Sequence, residues 1–257
     1  MATPNAAIVA WKTPYISGLG LTYGTATTLS VAAGACTDSS VSNEIVLESA
    51  VTFDGETTGA NGLDAGALAA STFYYVYAIG SSRSPINGDN YLMTSTVAYP
   101  GACLASTSDT PSLPANYDMY RRIGYFLTDS SSEILNFVQT GNGVERTMRY
   151  DVGISVLSGG TSATYANVNL VTAVPAINLE VLLLASVTPT AADDELNLVP
   201  YSSSATVGYA VVTGDVAAVV VKLVVSCPCS SNAGVPYIKY KVTGAASLSV
   251  VGYIDQL

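Results

Sequence analysis

The segment EIVLESAVTFD, from Glu44 to Asp54, alternates between apolar and polar side chains. The apolar positions share one face of an extended chain: Ile45, Leu47, Val51 and Phe53. The opposite face carries Glu44, Glu48, Thr52 and Asp54. Since successive side chains of a strand point to opposite sides, this period of two predicts a half-buried β-strand.

Neighbouring segments extend this pattern. Phe73–Ile79 (FYYVYAI) is apolar on both faces, which predicts a central strand covered on both sides. Arg122–Thr128 (RIGYFLT) and Glu133–Thr140 (EILNFVQT) flank the polar tetrapeptide Asp129–Ser132. Two strand patterns around a four-residue polar loop predict a β-hairpin.

The last third of the chain contains six short strand candidates separated by Gly, Pro, Ser and Asn: 179–187, 196–199, 207–212, 217–225, 237–242 and 248–254. Short, regularly spaced strands are typical of a sandwich or barrel. The sequence therefore predicts an all-β protein with two β-sandwich or jelly-roll-like modules, residues 41–168 and residues 169–257. Residues 1–40 have few strong strand patterns and are predicted to form an extended arm for attachment to a neighbour.

Composition excludes several classes of function. The chain has 257 residues, of which 49% are hydrophobic and 11% charged, with a net charge of -10 and no histidine. An acidic chain lacks the Lys and Arg surface on which affinity for nucleic acid depends. The absence of His excludes Ser-His-Asp, Cys-His and His-zinc chemistry. No apolar run reaches the roughly 20 residues of a membrane-spanning helix. The first residues lack the basic region before an apolar block that is typical of a secretory signal, so we expect the protein to be made and folded in a cytoplasm.

Two segments resemble structural proteins of tailed bacteriophages described as tail, fibre or capsid-associated. They are GANGLDAGALAASTFYYVYAIGSS (Gly59–Ser82) and YDMYRRIGYFLTDSSSEILNFVQTG (Tyr117–Gly141), and the final VVGYIDQL (Val250–Leu257) is similar to the closing strand of such chains. The resemblance implies a virion building block and no catalytic residue. It covers about half of the chain. Unlike many fibre proteins, this chain has no long repetitive shaft, so a fibre role implies a short or collar-type projection.

The chain has four cysteines, which are candidates for disulfides or metal binding: Cys36, Cys103, Cys227 and Cys229. Cys36 and Cys103 are predicted to lie in loops rich in Gly, Ala, Ser and Thr, where we expect accessible thiols. Cys227-Pro228-Cys229 is a CxC motif, a weak zinc pattern without His or a second close pair. We predict disulfides formed after particle release, including disulfides between subunits. Buried free thiols are the alternative, because cysteine is often a small buried apolar residue.

Charged groups offer further candidates. Arg121 and Arg122 form the one adjacent basic pair in the chain, with Arg146 and Arg149 following. Arginine pairs with carboxylates in a planar, bidentate way, so Arg121 and Arg122 are candidates for contacts between subunits, and a local ion pair is the alternative.

Two groups of acidic residues each have a structural and a functional interpretation. Asp193–Glu195 could offer oxygen ligands to calcium but is better explained as a solvated turn. Asp129 and Glu133 could form the carboxylate pair of a glycosidase but more simply flank a hairpin loop.

These observations predict a non-enzymatic structural component of a tailed-phage virion, such as a short fibre, collar or capsid decoration protein. It would be made in the host bacterial cytoplasm, need no cofactor or metal, and bind neither nucleic acid nor membrane. Its partners would be copies of itself, with a trimer as the first expectation, and other virion proteins. The alternative is a receptor-binding module for host surface glycan, suggested by 17 Tyr. A carboxylate-based glycan hydrolase ranks third.

Overall fold

The computed structural model describes residues 13–82, 100–141, 143–177, 179–203 and 208–257. In these ranges the chain forms β-strands and no helix, which confirms the all-β prediction. None of the described ranges therefore offers a helix long and apolar enough to cross a bilayer. The sandwich or jelly-roll detail stays a prediction.

The strands before residue 170 are β1 (Ile16–Gly18), β2 (Leu21–Tyr23), β3 (Thr28–Val31), β4 (Gly34–Thr37), β5 (Glu44–Leu47), β6 (Val51–Asp54), β7 (Gly62–Leu63), β8 (Phe73–Gly80), β9 (Ala102–Ser106), β10 (Met119–Leu127), β11 (Phe137–Thr140), β12 (Glu145–Gly160) and β13 (Ala166–Asn169). The remaining strands are β14 (Leu179–Thr188), β15 (Asp194–Pro200), β16 (Ala210–Gly214), β17 (Val221–Asn232), β18 (Val235–Val242) and β19 (Ala245–Gln256).

These strands form three sheets. Strand orders are β1-β4-β5 in the first and β10-β8-β9-β7 in the second. The third has twelve strands in the order β16-β15-β18-β17-β14-β19-β12-β11-β2-β3-β6, with β13 paired to β18 beside this path. Pairing is antiparallel except between β7 and β9.

The Glu44–Asp54 segment forms two strands rather than one. Ile45, Leu47 and Phe53 are fully buried, as the alternation predicts. However, β5 joins the three-stranded sheet and β6 the twelve-stranded sheet, with exposed residues between them. The period of two identified the buried face correctly, because the face depends on local alternation, whereas the break depends on which strands are available as partners.

Strand β8 confirms the prediction of a central strand from Phe73–Ile79. It lies between β10 and β9, and Tyr74, Val76 and Tyr77 are buried. The Tyr74 ring stacks on Phe126 of β10 with 5.0 Å between ring centroids. The tyrosines of this strand therefore serve the core.

The predicted hairpin around Asp129–Ser132 is only partly correct. The turn exists, because the Asp129 amide donates to the Glu133 carbonyl at 2.8 Å and the Ser132 amide donates to Asp129 at 3.2 Å. Beyond the bridge between Thr128 and Ile134 the two chains separate. Strand β10 pairs with β8, whereas β11 pairs with β12 and β2.

Residues 13–40 are not the extended arm that the sequence predicts. They form β1 to β4, and Leu19, Leu21, Leu29 and Val31 are buried in the main core. Their strands are short, which explains why the sequence pattern is weak there. Residues 1–12, the rest of the predicted arm, lie outside the described residues.

The predicted boundary near residue 169 does not separate two sheets. Strand β12 pairs with β19 along most of its length, and β13 pairs with β18. One hydrophobic cluster includes residues from Ile16 to Tyr253. Segments 41–168 and 169–257 therefore share hydrogen-bonded ladders and a core.

Candidate interaction surface

An apolar run with the sequence DVAAVVVKLV, Asp215–Val224, lies on the surface. Every residue of this run is exposed except Val221, which is partly buried. Leu223 and Val224 keep 51% and 52% of their surface exposed. Folding normally removes such side chains from water, so this continuous exposed run is the candidate interaction surface of the described residues.

The elements around the run hold it at the rim of the twelve-stranded sheet. Strand β16, which precedes it, is the last strand of that sheet. A turn follows, in which the Ala218 amide donates to the Pro189 carbonyl at 2.8 Å and the Val219 amide to Val216 at 3.2 Å. Strand β17 then begins at Val221.

Over its first part, strand β17 has a paired strand on one edge only, although β16 also lies close to it. From Val221 to Cys229 it pairs with β14 along one edge. The other edge meets β18 only from Ser230 to Asn232, and no other described strand pairs with it. Pro228 lies in this strand, and proline is tolerated there because its missing N–H can face an unpaired edge.

The exposed apolar surface extends onto the flanking segment. Seven of the eleven exposed large apolar side chains reported for the described residues lie here: Tyr209, Val211, Val216, Val219, Val220, Leu223 and Val224. The other four, Val138, Val144, Val152 and Val171, lie apart in the sequence. The seven half-exposed side chains present on the order of 500 Å² of apolar area, near the upper end for a monomer's largest patch. We refer to these seven residues, with Asp215 and Lys222, as the valine surface.

Arg121 and Arg122 are engaged within the chain. Arg121 Nη2 donates to the main-chain O atom of Leu257 at 3.1 Å and Arg122 Nη2 to the Gln256 carbonyl at 3.2 Å. Arg122 Nη2 also lies 3.6 Å from Asp255 Oδ1, and its guanidinium lies 5.0 Å from the Tyr125 ring centroid. The structure thus shows the local ion pair that was the alternative to a contact between subunits.

Asp255 is the most unusual polar group in the core. It is 3% exposed, and both carboxylate oxygens lack a hydrogen-bond partner among the described residues. It lines a small recess of about 10 Å³ beside Tyr125, Tyr253 and Arg146. Burial raises the pKa of Asp255, and the nearby Arg122 opposes this shift.

Arg146 is buried and has four hydrogen bonds to oxygen atoms. It donates to the carbonyls of Gly18, Leu19 and Gly143 and to Oε1 of Gln139. These bonds attach the β1–β2 connection to β12. Arg146 is thus a structural residue of the core and is not available for contacts between subunits.

The cysteines do not lie in accessible loops. Cys36 is in β4, Cys103 in β9, and Cys227 and Cys229 share the buried face of β17. All four are buried free thiols. Burial raises the pKa to about 12 for Cys36, Cys103 and Cys227, and to about 11 for Cys229.

The expected accessibility was wrong because Gly, Ala, Ser and Thr, which suggested loops, here fill tightly packed strands. Disulfides between subunits stay a prediction, and they would require local opening of the chain.

The acidic candidates have structural roles. Asp194 Oδ2 accepts hydrogen bonds from the Ala191 and Thr190 amides, which lower its pKa. Asp129 Oδ1 accepts from the amides of Ser131 and Glu133. In the described ranges no three Cys, Asp or Glu side chains are grouped to hold a metal ion.

Comparison of the chain with protein-family models, with curated proteins and with solved structures gives no match.

The sequence predicts a strand at 217–225, whereas the structure has a turn and loop up to Val220 and starts β17 at Val221. The exposure of this run was not predicted. An apolar run of β-branched residues predicts a strand covered on both faces, and the valine surface is the exception. Two signals were present: Lys222 and Pro228, since a charge and a proline are common on unpaired edges.

Proposed function

We propose that this chain is a non-enzymatic structural subunit of a tailed-phage virion, made in the host bacterial cytoplasm, and that it works through contacts between subunits. The observation that carries the assembly role is the valine surface: an exposed, nearly uncharged apolar area at the rim of a large sheet. Such an area can pack against another protein without removing many ions from water.

The virion assignment is supported by the resemblance of Gly59–Ser82 and Tyr117–Gly141 to tailed-phage structural proteins. In the structure these segments supply β8, β10 and β11, which belong to the core of the fold. Their role is thus to build the subunit, while the valine surface is available to connect it with others.

The test is the protein composition and structure of purified particles. We expect peptides of this chain in gradient-purified virions, and density for its twelve-stranded sheet repeated around a symmetry axis of the particle. Absence of the chain from purified virions would refute the virion role. Turnover of a glycan by the recombinant protein, lost on neutralising one Asp or Glu, would refute the non-enzymatic role.

A further inference from the structure

We infer that the valine surface binds the same surface of a second copy of this chain across a two-fold axis. The inference rests on the proposed role in assembly and adds the partner, the contact residues and the symmetry.

The area of the valine surface suits a dimer. A standard interface buries about 800 Å² on each partner. The seven apolar side chains present on the order of 500 Å², and exposed Thr213, Ala217 and Ala218 lie among them. The apolar part alone is thus more than half of what a stable interface of standard size requires.

The symmetry follows from the presence of a single such surface. A ring, including a trimer, needs two different complementary surfaces on each subunit, whereas a two-fold dimer needs one surface that complements itself. In the described residues the remaining exposed large apolar side chains are scattered over β11, β12 and two connections. The described surface therefore favours two copies over three.

The charges of the valine surface are also self-complementary. Asp215 lies before the apolar run and Lys222 near its end, and no ion pair of either side chain occurs among the described residues. A two-fold axis through the run places Asp215 of one copy near Lys222 of the other, twice. Opposite charges at the rim favour this orientation over others.

The shape of the exposed region indicates an approach along the edge of β17. Leu223 and Val224 point to opposite sides of the strand, yet each is half exposed. A partner that covered one face of the sheet would leave one of them in water. A second copy at the unpaired edge covers both.

Sedimentation equilibrium of the full chain tests the inference. For the wild-type protein we expect a mass twice that of the 26.4 kDa chain. Leu223→Asp and Val220→Asp should each be monomeric, with a dimer dissociation constant at least about tenfold higher than that of the wild type. The matched control is Val152→Asp on β12, where the valine is 73% exposed outside the valine surface; it should remain dimeric. Near-UV circular dichroism identifies any variant that has lost its fold.

Charge exchange tests the orientation. Asp215→Lys alone and Lys222→Asp alone should each weaken dimerisation, because each places like charges together twice. The double variant should restore it. If the double variant is as weak as the sum of the single variants, the two-fold placement of these residues is wrong.

If another segment or partner covers the valine surface, the sedimentation experiments give different results. The apolar segment AAIVAW, Ala6–Trp11, lies outside the described residues, and dissociation by Ile8→Asp but not by Leu223→Asp would assign the contact to it and overturn the inference. A monomeric wild type, or a trimer, would also overturn it. None of these results bears on whether virions contain the chain, so failure of the inference and failure of the proposed function are distinguishable.

Discussion

Replacing Arg122 by Met should strongly destabilise the chain through its effect on Asp255. Both carboxylate oxygens of Asp255 are buried without a hydrogen bond, and Arg122 Nη2 at 3.6 Å is its ion-pair partner. Methionine keeps an apolar stem of similar length but removes the positive charge. The variant therefore leaves a buried carboxylate without its partner.

The expected cost at pH 7 is about 3 to 5 kcal/mol, the usual range for removing one partner of a buried ion pair. Asp255 can take up a proton when Arg122 is removed, which limits the cost in unfolding free energy. Each unit by which pH exceeds the pKa of Asp255 corresponds to about 1.4 kcal/mol for this protonation. Burial already raises the pKa of Asp255 above its unfolded value, and loss of Arg122 raises it further. A carboxyl group with a raised folded pKa binds its proton more tightly in the folded state, so stability is greatest below the unfolded pKa and falls as pH rises through the folded pKa.

Urea unfolding between pH 4 and pH 7 measures this effect. We expect Arg122→Met to lose stability as pH rises, and the double variant Arg122→Met with Asp255→Asn to lose that additional pH dependence. Arg121→Met is the matched control, because Arg121 donates to an oxygen of Leu257 and makes no ion pair with Asp255. A cost below about 1 kcal/mol for Arg122→Met, or equal costs for the two arginines, would refute the reasoning.

Three further predictions follow from the core. A thiol reagent should label none of the cysteines in the native chain at pH 8 and all four in denaturant, because burial raises their thiol pKa values; rapid native labelling would contradict this. Arg146→Met should cost about 1 to 3 kcal/mol in urea unfolding, because the buried Leu19 carbonyl loses its guanidinium donor; a near-neutral effect would contradict it. Gly252→Ala should lower thermal stability by about 1 to 3 kcal/mol, since an added Cβ would overlap the Met148 carbonyl oxygen. Gly20→Ala, where the atom nearest to an added Cβ is 3.8 Å away, should lose less.

Local pattern was sufficient to predict much of the fold class. The buried face of Ile45, Leu47 and Phe53 and the central position of Phe73–Ile79 both follow from apolar spacing along a few residues. These features need no knowledge of distant partners. The turn at Asp129 also follows from its own side chain, which accepts hydrogen bonds from the next few amides.

Strand pairing could not be predicted in the same way. Strand β12 pairs with β19 about 100 positions later in the chain, with register shifts between Arg149 and Ile154 and beyond. Any of several apolar strands offers a similar face, so the sequence around β12 does not identify its partner. For this reason the predicted boundary near residue 169 divided strands that share a sheet.

Site residues were hardest to predict because their roles depend on burial. Arg122 and Arg146 have the same side chain, yet Arg122 pairs with a buried carboxylate and Arg146 donates to backbone carbonyls. Cys36 and Cys103 looked accessible because their neighbours are small. Small neighbours also permit close packing, and only the three-dimensional arrangement distinguishes the two.

The valine surface is also the feature whose exposure needs an energetic explanation. On the order of 500 Å² of apolar area left in water forgoes about 12 kcal/mol at 25 cal/mol per Å², which is comparable with the whole stability of a domain. Covering this area on two copies regains part of that free energy, and only the surplus over an association cost of about 4 to 15 kcal/mol appears as affinity. Lys222 and Pro228 limit the pairing of further strands at the β17 edge. A closed contact between two copies therefore covers the apolar area while these two residues oppose open-ended growth.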